Sequence, residues 1–191
     1  MARNTREGTE ATRLALITAA RALFIDKGYS ETATPEIVAA AGVTRGALYH
    51  HFEDKKALFR AVIEQEAATV ADEIDRVSAP AATPRDALLS GASAYFAAMA
   101  EPGRARLMLL EAPAVLGVEG TADIERENAE DRLRQGVCEF LGDGASDDAV
   151  RALTGLLSAA FDRAVLEIEK GGDRATYEAA IARLIDGLIP R

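Results

Sequence analysis

One cysteine, no tryptophan, two histidines side by side and no long apolar run: what this 191-residue sequence lacks narrows what it can do. A single thiol, Cys138, makes neither an internal disulfide nor a CxxC metal site, and within VCEFL it reads as a small buried residue rather than a redox sensor. His50 and His51 are neighbours and point about 100° apart on a helix, so they do not chelate one metal as an i, i+4 pair does. No metal site and no cofactor is expected. No apolar stretch approaches the ~18 residues of a membrane span, and MARNTREGTEATR at the start lacks the hydrophobic core of a secretory leader. The expectation is a cytoplasmic protein with no membrane partner. An activated nucleophile, a metal cluster and a phosphate-cradling glycine loop are all missing, which disfavours an enzyme. The alternatives to a binding protein are an acid-lined enzyme pocket around Glu111, Asp123 and Glu127, or a helical interaction protein.

What is present is globular in composition, at 49% apolar and 28% charged residues, with the charge divided unevenly. Residues 1 to 60 hold nine Lys/Arg against seven Asp/Glu. The remainder holds thirteen against twenty-four, which together make the net charge of −9. An acidic protein binds nucleic acid when its positive charge is gathered on one surface, so the overall balance excludes a general nucleic-acid coat and leaves a local docking face open.

The stretch TPEIVAAAGVTRGALYHHFEDK (34 to 55) carries the densest information. Ile37, Val38 and Ala41 share one helical face, and Gly42 follows where a helix end needs a residue at positive φ. Thr44 then restarts a helix with a hydroxyl suited to capping, and Leu48 with Phe52 forms an i, i+4 apolar pair that holds it inward. The face left over carries Arg45, Gly46, Ala47, Tyr49, His50 and His51: a guanidinium, two residues too small to obstruct close approach, and three ring donors. No acid occurs between Glu36 and Glu53. Such a face suits a major groove, where Arg forms a bidentate bond to guanine while its neighbours reach phosphates. Two short helices joined by a glycine turn also occur in proteins that never touch nucleic acid, so the residue types rather than the geometry carry the reading.

These residues resemble the DNA-binding domain of the TetR family of bacterial transcriptional regulators. The likeness rests on an amphipathic first helix ending in ALFIDKGYSETAT, the pair EIVAAAGVTRGALYHHF, and a following helix opened by DKKALF. The resemblance implies an all-α fold of about nine helices, with a three-helix DNA-binding domain over 9 to 62 and its helix-turn-helix at about 34 to 52. An effector-binding and dimerisation domain would follow over 63 to 191. It implies DNA contacts by Thr34, Thr44, Arg45, Gly46, Ala47, Tyr49, His50, His51 and Lys55, with Lys55 and His51 on phosphate or sugar. The partners implied are a palindromic double-stranded operator, a small-molecule effector and a second copy of the chain.

Elsewhere the pattern predicts helices over 9 to 27, closed by Gly28, with Leu14, Ile17, Ala20, Leu23 and Phe24 inward, and over 34 to 41, with Thr34 as N-cap and Pro35 in the first turn. Asp54 reads as the cap of a helix to about 77 with Leu58, Val62 and Ile63 inward, and SAPAATP as a turn. Further helices are expected over 84 to 100, 103 to 111, 121 to 141, 147 to 170 and 173 to 188, with Pro113 and two glycines interrupting 112 to 120. Val150, Leu153, Leu157, Phe161, Ala164 and Ile168 make one stripe, widened by Leu156, Ala160 and Val165, and Tyr177, Ile181, Leu184, Ile185, Leu188 and Ile189 another. Faces this broad predict a two-fold interface through Leu153, Leu157, Phe161, Leu184 and Leu188. Tyr95, Phe96, Met99, Met108, Leu109, Phe140 and Phe161 are candidates for an apolar effector pocket, although each also suits plain core. Few aromatics and no tryptophan make that pocket aliphatic rather than a stacking cage.

Overall fold

The computed structural model describes residues 2–77, 81–125 and 130–188. Every regular element among them is helical. In chain order these are α1 (Ala2–Glu31), α2 (Thr34–Ala40), α3 (Arg45–His51), α4 (Lys55–Val77), α5 (Pro84–Met99), α6 (Arg104–Arg106), a π turn (Leu107–Glu111), α7 (Ala112–Leu116), α8 (Val118–Glu125), α9 (Asp131–Leu141), α10 (Asp147–Glu169) and α11 (Arg174–Asp186). Counting α6, the π turn and α7 as one continuous run, the described residues form ten helical stretches. The expected count was about nine, and three of the helices carry side-chain caps that the sequence analysis did not name. Thr83, Ser146 and Asp173 each accept a backbone N–H of the following turn, from Asp86, Ala149 and Thr176.

Of the helix expected over 121 to 141, the described residues are helical up to Glu125 in α8 and from Asp131 in α9, and 126 to 129 lie outside the described residues, as do 78 to 80 of the expected SAPAATP turn and Ile189. One segment departs from expectation. The interruption expected at 112 to 120 is largely helical. Proline lacks an amide hydrogen and crowds the carbonyl four residues back, but Pro113 sits directly after the wide π turn, at the start of α7 where that cost is relieved. The break falls at Gly117, at φ 84°.

The chain divides into two compact units: Met1–Glu66 with Arg106–Thr121, and Ala67–Ala105 with Ala122–Arg191. In the sequence reading, all of 63 to 191 formed one domain. Within the first unit Leu16, Ile17, Ala20 and Phe24 form the buried face of α1, and Ile37, Leu48, Leu58, Phe59, Val62 and Ile63 complete the core. Leu14, expected inward, is 53% exposed, because the core-facing stripe of α1 is centred nearer Leu16. Phe24, Tyr29 and Phe59 meet at centroid distances of 4.9 to 5.7 Å. Arg21, partly exposed, donates to both carboxylate oxygens of buried Glu66 at 2.7 and 3.2 Å, so the carboxylate is not left unpaired in the core.

In the second unit α5 packs on α9, α10 and α11, and α10 packs on α9 and α11. Gly136 allows the α5–α9 approach: a Cβ there would lie 2.9 Å from Leu88 Cδ2. Leu88, Phe96, Met99, Val137, Phe161 and Ile185 are buried together with smaller residues. Arg104, almost fully buried, satisfies its charge on the Ala98 carbonyl at 2.5 Å and Glu73 at 3.3 Å. Arg85 pairs with Asp186, and Arg174 donates to Ser93 and Glu178, so α5 and α11 are tied at two levels. Cys138, expected buried, is exposed: Val137 takes the inward position and its neighbour is turned 100° away.

Candidate nucleic-acid interface

The turn between α2 and α3 is built as its residue types require. Ala41 N–H closes the helix on Ile37 O at 2.9 Å, Gly42 takes φ 66°, and Val43 N–H returns to Val38 O at 3.0 Å. Thr44 is extended and its Oγ1 accepts the Ala47 N–H at 3.1 Å, starting α3. Leu48 and Phe52 are buried, which fixes the rotation of α3 and leaves Arg45, Gly46, Tyr49 and His50 exposed, with Ala47 and His51 half-buried. The Arg45 guanidinium carbon sits 5.5 Å from the Tyr49 ring centroid, one turn apart, and the two imidazoles pack edge to face at 5.4 Å. Gly46 has an open environment. A Cβ there would meet only Thr44 Oγ1, at an ordinary 3.8 Å, so nothing within the chain requires glycine.

Thr34 differs in role from the sequence reading. The N-cap of α2 is Ala33, which has no side chain able to cap, and the Glu36 carboxylate reaches back to accept the Ala33 N–H at 3.1 Å. Thr34 is the first helical residue and is half-buried. Glu36 also pairs with Lys27 at 2.5 Å, which holds the Glu36 carboxyl below and the Lys27 ammonium above their ordinary ranges. Asp54 caps α4 as expected, accepting the Ala57 N–H at 2.6 Å. Lys55 is more constrained than a free phosphate ligand. Its ammonium donates to Tyr29 O at 2.8 Å and Thr32 O at 3.0 Å and lies 4.2 Å from the Tyr29 ring centroid. Arg13 packs over Phe52 at 5.5 Å.

The expected pocket residues do not gather in one unit. Tyr95, Phe96 and Phe161 form an aromatic cluster in the second unit at centroid distances of 6.1 to 6.4 Å, Met99 is buried and Phe140 half-buried there, whereas Met108 and Leu109 belong to the π turn of the first unit. Tyr95 Oη donates to Asp162 at 2.6 Å, and burial raises the Asp162 carboxyl above its ordinary range while that bond works the other way. The expected interface residues also divide. Leu157 and Phe161 are buried within the chain itself, Leu153 and Leu188 are half-buried, and Leu184 is 53% exposed. The outward face of α10 is instead Ala152, Gly155, Leu156 and Ala159, with Leu156 68% exposed. A stripe this broad did not reveal which of two adjacent leucines faces in. The sequence reading also missed Arg106 and Glu111 as partners of α1, because their contacts span some eighty residues.

Among the described residues no three His, Cys, Asp or Glu gather as a metal site, and no helix is long and apolar enough to cross a membrane. The family description "Bacterial regulatory proteins, tetR family" matches residues 16–62, and "Tetracyclin repressor-like, C-terminal domain" matches 85–190. Over 72 residues the chain is 42% identical to the HTH-type transcriptional regulator AcrR of Shigella flexneri, covering 38% of this chain and 34% of that protein. The HTH-type transcriptional repressor BepR of Brucella suis is 43% identical over 61 residues, 32% of this chain and 29% of its own. The chain thus spans about a third of the length of these curated relatives. Whole-chain likeness comes from solved structures. A TetR-family transcriptional regulator from Pectobacterium atrosepticum is 30% identical, with a TM-score of 0.71 over 96% of this chain and 95% of that one. The fatty acid degradation regulator FadR from Bacillus halodurans, 16% identical with a TM-score of 0.74 over 91% and 93%, shares the fold. With both regions matched and a whole-length relative at this identity, the chain belongs to the TetR family of bacterial regulatory proteins.

Proposed function

We propose that this protein is a homodimeric, sequence-specific DNA-binding transcriptional regulator, a cytoplasmic repressor that leaves a palindromic operator when a small apolar or amphipathic effector binds its second unit. The observation that carries the reading is the outward face of α3. Arg45 and Tyr49 project from a helix whose rotation is set by buried Leu48 and Phe52, and Gly46 between them leaves room for close approach. Arg45 reads a guanine edge from the first turn, Gly46 and Ala47 are small enough to let the groove approach, and Thr34, Thr44, Tyr49, His50, His51 and Lys55 are assigned to backbone contact around it. Two Lys55 donors are already spent on carbonyls, so its phosphate contact uses the one that remains.

The outward leucines support dimerisation. Leu156 on α10 and Leu184 on α11 stand among small residues that permit close helix approach, and covering them with a second copy removes apolar surface from water. A two-fold dimer then sets two α3 helices about 34 Å apart, one turn of the duplex. The cluster of Tyr95, Phe96 and Phe161, aromatic where composition pointed to an aliphatic lining, offers an amphipathic effector apolar surface beside a polar anchor in the Tyr95–Asp162 pair. Such an effector releases the operator only by binding one conformation better than the other. Selection of random genomic fragments tests the reading: enrichment of one palindrome is expected, and no retention would leave an interaction protein or an enzyme on the same fold.

A further inference from the structure

The residues that hold the end of α1 come from far along the chain. At Gly28 the helix breaks, with φ 82° and ψ 164°. A continuous α-helix would give the Tyr29 N–H to Ile25 O. Here that N–H donates to Glu111 Oε2 at 2.8 Å, and Ile25 O takes Arg106 Nη2 at 2.5 Å in its place, with Phe24 O accepting from the same nitrogen at 2.9 Å. The cation therefore sits on carbonyls at the negative end of α1 and the carboxylate on the amide just beyond the break. Arg106 Nε is 3.6 Å from Glu111 Oε1, so the two side chains bracket Gly28 as a pair.

A π turn is what allows them to do so. Residues five apart on an α-helix lie about 140° from one another and cannot serve one site. Between Arg106 and Glu111 the backbone is wound with i to i+5 bonding, Ala112 N–H donating to Leu107 O, which stacks positions five apart as an α-helix stacks those four apart. The extra residue is inexpensive to the fold, since Leu110 within the turn is 51% exposed.

The segment held this way leads directly into the DNA-binding helices. Beyond Tyr29, Lys55 takes the Tyr29 and Thr32 carbonyls, Thr32 Oγ1 donates to Gly28 O at 2.7 Å, and Ala33 starts α2. Both α2 and α3 pack against α1. We propose that Arg106 and Glu111 are positioning residues for operator binding: brought to one face by the π turn, they fix the α1–α2 joint and with it the placement of α3. The inference rests on the operator-binding role of α3.

Operator titration by fluorescence anisotropy, with amide exchange at Tyr29 to Ala33, tests this on the full chain. Glu111→Ala should weaken operator binding about tenfold, the scale of one charge-assisted hydrogen bond, and speed exchange at the joint. Glu111→Gln keeps an acceptor for the Tyr29 amide and should stay within about threefold of wild type, a rescue that a general loss of stability would not produce. Should Glu111→Ala fail to fold, Arg106→Ala, at a partly exposed side chain, carries the same expectation. A folded Glu111→Ala or Arg106→Ala protein that binds the operator as wild type does, with exchange unchanged, overturns the inference alone. Failure of the wild type to select any DNA overturns the role of α3 and this inference with it.

Discussion

Replacing Gly46 with alanine separates what the fold wants from what the function wants. Gly46 lies in the first turn of α3 and is exposed, and it is not among the glycines with positive φ. Its added Cβ would meet only Thr44 Oγ1 at 3.8 Å, so alanine fits without strain. Glycine in a helix costs roughly 0.5–1 kcal/mol relative to alanine through the backbone entropy lost on folding, and a first-turn site realises the lower part of that range. Gly46→Ala should therefore stabilise the protein, raising the melting temperature by about 1–3 °C for a chain of this length. Operator binding should move the other way. A methyl group at a surface in van der Waals contact with a groove holds the helix off and stretches the Arg45 bonds beside it, so a loss of about tenfold or more is expected. Differential scanning calorimetry beside operator titration measures both. A variant that melts higher and binds as tightly as wild type would remove Gly46 from the interface, and one that melts lower would contradict the space the structure shows around it.

Arg45→Ala should cost about 1–3 kcal/mol on the preferred operator and relax preference at one base pair per half-site, and an unchanged motif in a binding-site selection would sink the assignment. Leu156→Glu combined with Leu184→Glu places charge on the outward faces of α10 and α11 while leaving buried Leu157 in place, so a folded monomer with weakened operator binding is expected from sedimentation; an intact dimer would move the interface elsewhere. Asp162 predicts a pH dependence. Its carboxyl is raised in the fold by burial, so the native state binds the proton more readily than the unfolded chain, and stability should decline as pH rises from the ordinary aspartate range through the raised value. Asp162→Asn should flatten that part of the melting profile, and an identical profile in the variant would deny the burial its effect.

What the sequence determined by itself is local. Gly42 turns at positive φ, Thr44 and Asp54 cap, and Leu48 with Phe52 orients α3, because each of these acts on groups within four residues of itself. The local structure of the proposed DNA-binding face was legible for that reason, and the family resemblance drew on this run and the segments flanking it. Tertiary structure decided the matters in which two local answers were equally good. Leu16 rather than Leu14 faces the core of α1, and Leu157 rather than Leu156 that of α10, since an apolar stripe wider than one helix face has no preferred rotation until a neighbour packs on it. Glu36 rather than a hydroxyl at Thr34 serves the start of α2, and Lys55 turns to the carbonyls of Tyr29 and Thr32. The π turn left no trace in the apolar pattern, because one additional residue in a helix changes which side chains share a face without changing their composition. Arg106 and Glu111 find Gly28 only when the chain folds back across some eighty residues, a distance over which spacing carries no information and only packing brings donor and acceptor together.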